Sequence, residues 1–91
     1  MFDAPIVSII IPVFNTEKYV ARCLDSILNQ TLTSIEIICI DDGSTDNSFH
    51  ILEAYAAADS RIYIATQENS GPRETRERGI RIAKGKYIGY V

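Results

Sequence analysis

Apolar residues along this chain fall into two alternating kinds of run. Val7–Val13 (VSIIIPV) and residues 35–40 (IEIICI) are short, nearly continuous and rich in β-branched side chains, the pattern of strands covered on both faces in a parallel sheet. Between them Val20, Cys23, Leu24, Ile27 and Leu28 recur at i, i+3, i+4, i+7 and i+8, one apolar stripe of an amphipathic helix. Asn15 and Thr16 offer N-cap oxygens before it and Glu17 suits its positive end, and it should stop between Asn29 and Thr31. A second helix is expected from Asp46, as its N-cap, to Ala58, with Ile51, Leu52 and Tyr55 facing inward. A short strand at 62–65 follows, then a helix over 72–84 that Ser70 can cap, with Pro72 in its first turn and Gly85 as C-cap candidate. Residues 87–91 begin a fourth strand. Pro12 has no N–H for a ladder, so it must lie where pairing stops.

The order β-α-β-α-β-α-β makes parallel pairing with right-handed crossovers the expected topology. A Rossmann-like three-layer α/β/α fold with a mainly parallel sheet follows, as half of a nucleotide-binding domain. Ninety-one residues make one domain at most and bury only somewhat more than about 60% of the unfolded surface. An apolar strand running into Val91 suggests a partial, truncated domain. Ligands of such sheets bind beyond the carboxyl ends of the strands. Three polar loops leave those ends here: PVFNTE, DDGSTDNS and ENSGPR.

Charge sharpens the picture. Residues 1–72 carry three basic and ten acidic side chains, net −7, whereas residues 73–91 carry six basic and two acidic, net +4. A basic island in an acidic domain suits one local anion, or a solvated helix face, rather than the extended basic field of a nucleic-acid binder. Cys23 and Cys39 both fall inside apolar patterns, as buried reduced thiols do, and point to a cytoplasmic setting. The opening apolar run is too short and too Pro-interrupted for a signal or a membrane span. No GxGxxG follows the first strand and no GxxxxGK[ST] is present, which disfavours a dehydrogenase and excludes a P-loop NTPase. His50 is the only histidine, so a histidine-based triad or zinc site has no obvious source.

Asp41 and Asp42 end the second strand. Side chains on a strand alternate faces, so one acid is expected to face ligand while its neighbour serves structure, and a metal pair from these two alone is disfavoured. Gly43 allows a positive φ, and Ser44 or Thr45 can satisfy backbone donors. An ionised aspartate here accepts the N–H or hydroxyl groups of a nucleoside. Phe14 offers either an aromatic face for a base or a core aromatic. Asn69, Gly71 and the helix start at Pro72 put backbone donors and a positive dipole end at the same edge, suited to a diphosphate, to which Arg73 and Arg76 can add bidentate contacts. Arg78, Arg81, Lys84 and Lys86 are expected to remain solvated. Glu74–Arg78 and Glu77–Arg81 are acid-first i,i+4 pairs, worth about 0.2–0.5 kcal/mol each.

In this order and spacing, VSIIIPVFNTEKYVARCLDSILNQT, EIICIDDGSTDNS and QENSGPRETRERGIRIAKGKYIGYV resemble the amino-terminal half of family 2 glycosyltransferases, which have the glycosyltransferase A fold. The resemblance spans residues 6–91. It implies an inverting enzyme that moves a sugar from a nucleotide-activated donor, commonly a UDP-sugar, to a hydroxyl of a carbohydrate, lipid-linked or other acceptor, as in cell-surface polysaccharide synthesis. The alternative is a noncatalytic nucleotide-binding or interaction domain of the same fold. Pro12, Phe14, Asn15 and Glu17 match the family's first nucleotide-contacting segment, and Asp42, beside Asp41, Gly43 and Ser44, matches the base-recognising acid. Asn69 and Gly71 match the third loop, and Arg76 a basic residue near the diphosphate, where Thr75-Arg76-Glu77 stands in place of the usual Ala-Arg-Asn and makes Arg73 a rival. The family's Asp-x-Asp motif, which would hold Mg²⁺ or Mn²⁺, is expected just past Val91, and the catalytic base in an acceptor-binding half; neither is in this chain. Location at the inner face of a membrane would come through regions outside these residues.

Overall fold

The structure, a computed structural model, describes residues 5–30 and 34–91. Among them four strands form one parallel sheet in the order β3-β2-β1-β4: β1 Val7–Val13, β2 Ile35–Asp42, β3 Ile62–Gln67 and β4 Tyr87–Tyr90. The expected β1 has the observed limits, and β1 and β2, the two most apolar runs, occupy the centre. The three connecting helices are α1 Val20–Leu28, α2 Ser48–Ala58 and α3 Pro72–Ile82.

Period-two alternation divides the sheet's side chains between two faces. Ile11, Val13, Ile37 and Cys39 pack with Val20, Leu24 and Ile27 of α1 and Leu52 of α2 in one buried cluster. Ile10, Ile38 and Ile40, also fully buried, alternate to the opposite face, where α3 lies against β1 and β2. There Gly79 permits contact that no other residue would, because a Cβ would lie 2.6 Å from the Ile10 methyl. This close approach compensates for the few apolar residues on α3. Across the top of the other layer, the Tyr55 hydroxyl donates to Asp25 at 2.6 Å and ties α2 to α1. Cys23 and Cys39 are free thiols; burial, with Cys23 adding, pushes the Cys39 thiol up to about 12, so it serves as a small core hydrophobe.

Pro12 sits where its missing N–H costs no ladder bond. The carbonyls of Ile6 and Ile10 accept from Tyr87 and Val91, so even-numbered positions of β1 point their backbone toward β4. The last β1–β4 pair is Ile10 with Tyr90, and Pro12 lies beyond it.

Several expected boundaries move, always at a loop. Both β2 and β3 run two residues further than the apolar runs, because Asp41 pairs with Thr66 and Asp42 with Gln67. Asn15 and Thr16 do not cap α1, which begins at Val20 after Tyr19 with no side-chain cap; the Thr16 carbonyl accepts from Tyr19 and Val20 instead. The helix ends at Leu28 with Asn29 as cap, and Thr31, the outer limit expected for it, lies outside the described residues. Asp46 is not the N-cap of α2 but stands one residue before it, where Asn47 occupies the cap position. Ser70 does not cap α3 either, since Gly71 holds that place. Nor does Gly85 end α3, which stops at Ile82. The chain turns out at extended Ala83, and the Lys84 and Gly85 amides donate to Glu36 and Ser8 at 2.6 and 2.7 Å. On α3 the observed ion pair is Arg73–Glu77, 3.4 Å apart, in place of the two acid-first pairs. No helix among the described residues is long and apolar enough to cross a membrane.

Candidate functional site

Parallel strands deliver the loops after β1, β2 and β3 to one edge of the sheet. A cleft of about 460 Å³ opens between them, lined among others by Pro12, Phe14, Asp42, Asn69, Gly71 and Arg76. Six of the residues singled out in the sequence thus meet. Phe14 is half-exposed and lines the cleft, so it is not a core aromatic. Arg76 reaches the cleft from the first turns of α3, whereas Arg73 does not line it: its side chain is 89% exposed and pairs with Glu77.

Asp42 is the centre of the arrangement. Its carboxylate is buried, and every donor comes from β3 or the loop that follows. Oδ1 accepts from the Gln67 amide at 2.9 Å, the Ser70 N–H at 2.8 Å and the Ser70 hydroxyl at 3.3 Å. Oδ2 accepts from the Gly71 N–H at 3.0 Å and Asn69 Nδ2 at 3.3 Å, while Asn69 Nδ2 also bonds the Asp42 carbonyl at 3.0 Å. Burial by itself would raise the Asp42 pKa, but the Gln67, Ser70 and Gly71 donors outweigh it and hold the group below the ordinary carboxylate value. Asp42 is therefore an ionised acceptor.

Asp41 faces the other way, as alternation requires. It too is buried. Its Oδ2 accepts from the Ser44 N–H at 3.3 Å and the Thr66 hydroxyl at 3.2 Å, and its Oδ1 has no partner among the described residues. The two acids do not share a pocket, and among the described residues no group of three or more His, Cys, Asp or Glu side chains comes together.

Asn15, Glu17 and Gly43 hold the edge together rather than line it, and Thr16 does both. Asn15 adopts a left-handed φ of 50°, tolerated by Asn because its side chain bonds locally. Its N–H donates to Ser44 Oγ at 2.9 Å, and its Oδ1 accepts from the Thr45 N–H at 2.8 Å. Glu17 makes a reciprocal pair: its N–H donates to Asp46 at 3.2 Å and its carboxylate accepts from the Asn47 N–H, also at 3.2 Å. Thr16 donates through its N–H to the buried Ser48 hydroxyl at 2.9 Å. These bonds engage the Asn15 side chain and one oxygen of Asp46, whose Oδ1 still accepts from the first N–H of α2, that of Ser48, at 2.9 Å. Gly43, at φ 77°, is so close to the third loop that a Cβ would lie 2.8 Å from the Asn69 nitrogen.

Gly71 has φ 97° and ψ 163°, a region that essentially only glycine enters. Nothing lies within 4 Å of where a Cβ would stand, so the constraint is conformational alone. Gly71→Ala is expected to cost about 1–3 kcal/mol, read as a lowered urea midpoint at unchanged m-value. A midpoint equal to wild type would show that the turn relaxes freely.

Three participants were not among the candidate site residues of the sequence reading. Gln67, Thr75 and Arg78 interlock beneath the third loop: the Thr75 hydroxyl donates to the Gly71 carbonyl at 2.7 Å, and Arg78 Nη1 donates to Gln67 Oε1 at 2.9 Å. Arg78 is thus not a simple solvated cation. The Gly71–Thr75 spacing of four, which allows a hydroxyl to bond back to a carbonyl, was the one local signal for Thr75.

Comparison with known proteins identifies the family. The family model for glycosyl transferase family 2 matches residues 8–91. The uncharacterised glycosyltransferase EpsJ of Bacillus subtilis is 48% identical over 87 residues, covering 96% of this chain and 25% of its own length. Glycosyltransferase GlyG of Streptococcus pneumoniae is 45% identical, covering 94% of this chain and 29% of its own. The chain thus spans between a quarter and a third of the length of these relatives. Among solved structures, residues 1–349 of S. aureus TarS in complex with UDP-GlcNAc superpose with a TM-score of 0.88 at 30% identity, over 94% of this chain and 26% of that one. A mannosyltransferase of Pyrobaculum calidifontis shares the fold at a TM-score of 0.84 and 22% identity, over 94% of this chain and 26% of its own. With a family match over nearly all of its length, and with the three-layer fold of those enzymes, this chain belongs to glycosyl transferase family 2.

Proposed function

We propose that this chain is the donor-nucleotide part of an inverting glycosyltransferase that uses a UDP-sugar. In that reaction an acceptor hydroxyl attacks the anomeric carbon. One C–O bond forms as the bond to the diphosphate breaks, the nucleoside diphosphate leaves, and the hydroxyl proton passes to a base outside these 91 residues. The observation that carries the reading is the convergence of Phe14, Asp42 and Arg76 on one cleft. A half-exposed ring offers a face to a base, an ionised carboxylate offers only acceptors, and a guanidinium beside the amino end of α3 suits a diphosphate. The complex of TarS with UDP-GlcNAc supports the choice of nucleotide.

A divalent cation, Mg²⁺ or Mn²⁺, belongs to the proposal for the whole protein. The Asp41 and Asp42 carboxylates do not fit it as a pair, because they face opposite ways and accept from separate sets of donors. We therefore assign no step to a metal on these residues. A cytoplasmic site, including the inner face of a membrane, is consistent with the two free thiols. A carbohydrate or lipid-linked acceptor of cell-surface polymers is supported by relatives such as Escherichia coli chondroitin synthase, 42% identical over 96% of this chain and 13% of its own length.

The test is nucleotide selectivity in calorimetric titrations. An acceptor-only carboxylate pairs with the ring N–H of uracil or guanine and repels the bare ring nitrogen of cytosine or adenine. UDP is expected to bind at least about tenfold more tightly than CDP, the equivalent of one charge-assisted hydrogen bond. Equal affinities for UDP and CDP would remove Asp42 from base recognition.

A further inference from the structure

We propose that Arg78 and Gln67 are positioning residues that orient the Asp42 carboxylate, acting as a one-directional relay of donors from α3 through β3 to the cleft. The register of β2 with β3 sets Gln67 directly beside Asp42. Its amide Nε2 donates to Asp42 Oδ1 at 2.9 Å, to Ser70 Oγ at 2.8 Å and to the buried Thr75 hydroxyl at 3.1 Å, sharing its two N–H groups among three acceptors. Its Oε1 accepts from Arg78 Nη1 at 2.9 Å, and the same guanidinium nitrogen lies 3.4 Å from the Thr66 carbonyl.

The direction of every bond is forced. A guanidinium has donors and no acceptor, and an ionised carboxylate has acceptors and no donor. Turning the amide over would set its NH₂ against Arg78 and its carbonyl against Asp42, two repulsive contacts in place of two attractive ones. The Thr75 hydroxyl gives the same answer, because its proton is committed to the Gly71 carbonyl at 2.7 Å and leaves only a lone pair for the amide. Arg78 touches nothing in the cleft itself. Its role is to hold the one orientation of Gln67 that braces Asp42 and, through Ser70 and Thr75, the Gly71 turn. The Gln67 amide is the strongest of the hydrogen bonds that hold the Asp42 pKa down, in keeping with that order.

The ligand half of this proposal rests on the nucleotide reading above; the bracing of Asp42 does not. Two readouts separate them. In UDP titrations, Gln67→Met and Arg78→Met are each expected to weaken binding about tenfold, one lost bond in a charged network, and Arg78→Lys, which keeps one donor, to return to within about threefold of wild type. In the ligand-free protein, carboxyl-carbon NMR should show the Asp42 titration midpoint moving upward in Gln67→Met, by less in Arg78→Met, and little in Arg78→Lys. UDP affinities within twofold of wild type in both methionine variants would overturn the relay, as would an unmoved Asp42 midpoint. Should wild type itself fail to bind UDP, the nucleotide reading falls alone and the carboxyl titration decides the relay. Arg78 lies on a partly exposed helix position, so its two variants keep both readouts available even where Gln67→Met does not fold.

Discussion

Replacing Asp42 with alanine is expected to lower UDP affinity by about a hundredfold or more, the loss of two charge-assisted hydrogen bonds' worth of organisation, and to destabilise the fold as well. The carboxylate is buried and is the only described group that gathers the Gln67 amide and the Ser70 and Gly71 N–H groups at one point. Truncation removes the acceptor these donors share; Ser70 is exposed and Gln67 and Gly71 are half-buried, so water takes over part of the bonding and the cost is about 1–3 kcal/mol in all. Asp42→Asn separates the two effects: its shape is kept, yet its NH₂ must oppose a donor on one side, so binding should fall nearly as far while the thermal midpoint falls less.

The same group gives a pH signature. Because the Asp42 pKa is lowered in the folded state, its contribution is fully present above the unfolded value of about 4 and is lost as pH falls through the folded value. Asp59 moves in the same direction, held down by the Arg61 guanidinium 2.8 Å away. Acid unfolding measured by circular dichroism should therefore begin below about pH 4 and be shallower in Asp42→Asn. An acid limb identical to that of wild type would mean the carboxylate is as well solvated in the folded protein as out of it.

The second large effect is expected in the core. Leu52 of α2 is fully buried, as is Leu24 of α1, and both belong to the cluster beneath the sheet. Leu52→Ala removes a fully buried side chain and leaves a cavity, at a cost of about 2–5 kcal/mol. A domain of this length has about 5–14 kcal/mol of net stability at typical values per residue, so one substitution removes a large fraction of it. The thermal midpoint should drop by on the order of 10 to 30 °C, measured by differential scanning calorimetry. A drop of only a few degrees would mean that α2 shifts to refill the space, and that the helix is held by its ends rather than by its buried face.

The parts of the molecule legible in the sequence are those set by local periodicity. β1 could be read with its limits because a β-branched run bounded by Asn15 has no helical reading, and the divergence of Asp41 from Asp42 follows from the two-residue repeat of any strand. The rule that ligands bind beyond the carboxyl ends of parallel strands brought Phe14, Asn69, Gly71 and Arg76 to one edge, the resemblance added Pro12, and all five line the cleft. What could not be read depends on contacts across many residues. Asn15 has the chemistry of a helix cap, but the distant Thr45 N–H engages its side chain first, and Asp46 divides its carboxylate between the Glu17 N–H and the Ser48 N–H that opens α2. Gln67 and Arg78 gain their roles only from the β2–β3 register, which no periodicity in QENSGP announces. Arg73 and Arg76 differ in sequence by a few places along one helix, and only the packing of α3 decides which of them turns to the cleft.

The reciprocal bonds between the first two loops carry a consequence for anyone re-engineering this edge. Asn15 with Ser44 and Thr45, and Glu17 with Asp46 and Asn47, satisfy one another's main chain across the two loops. Transplanting either turn alone into another scaffold would strand half of these partners, so the two segments are interchangeable between proteins only as a matched set.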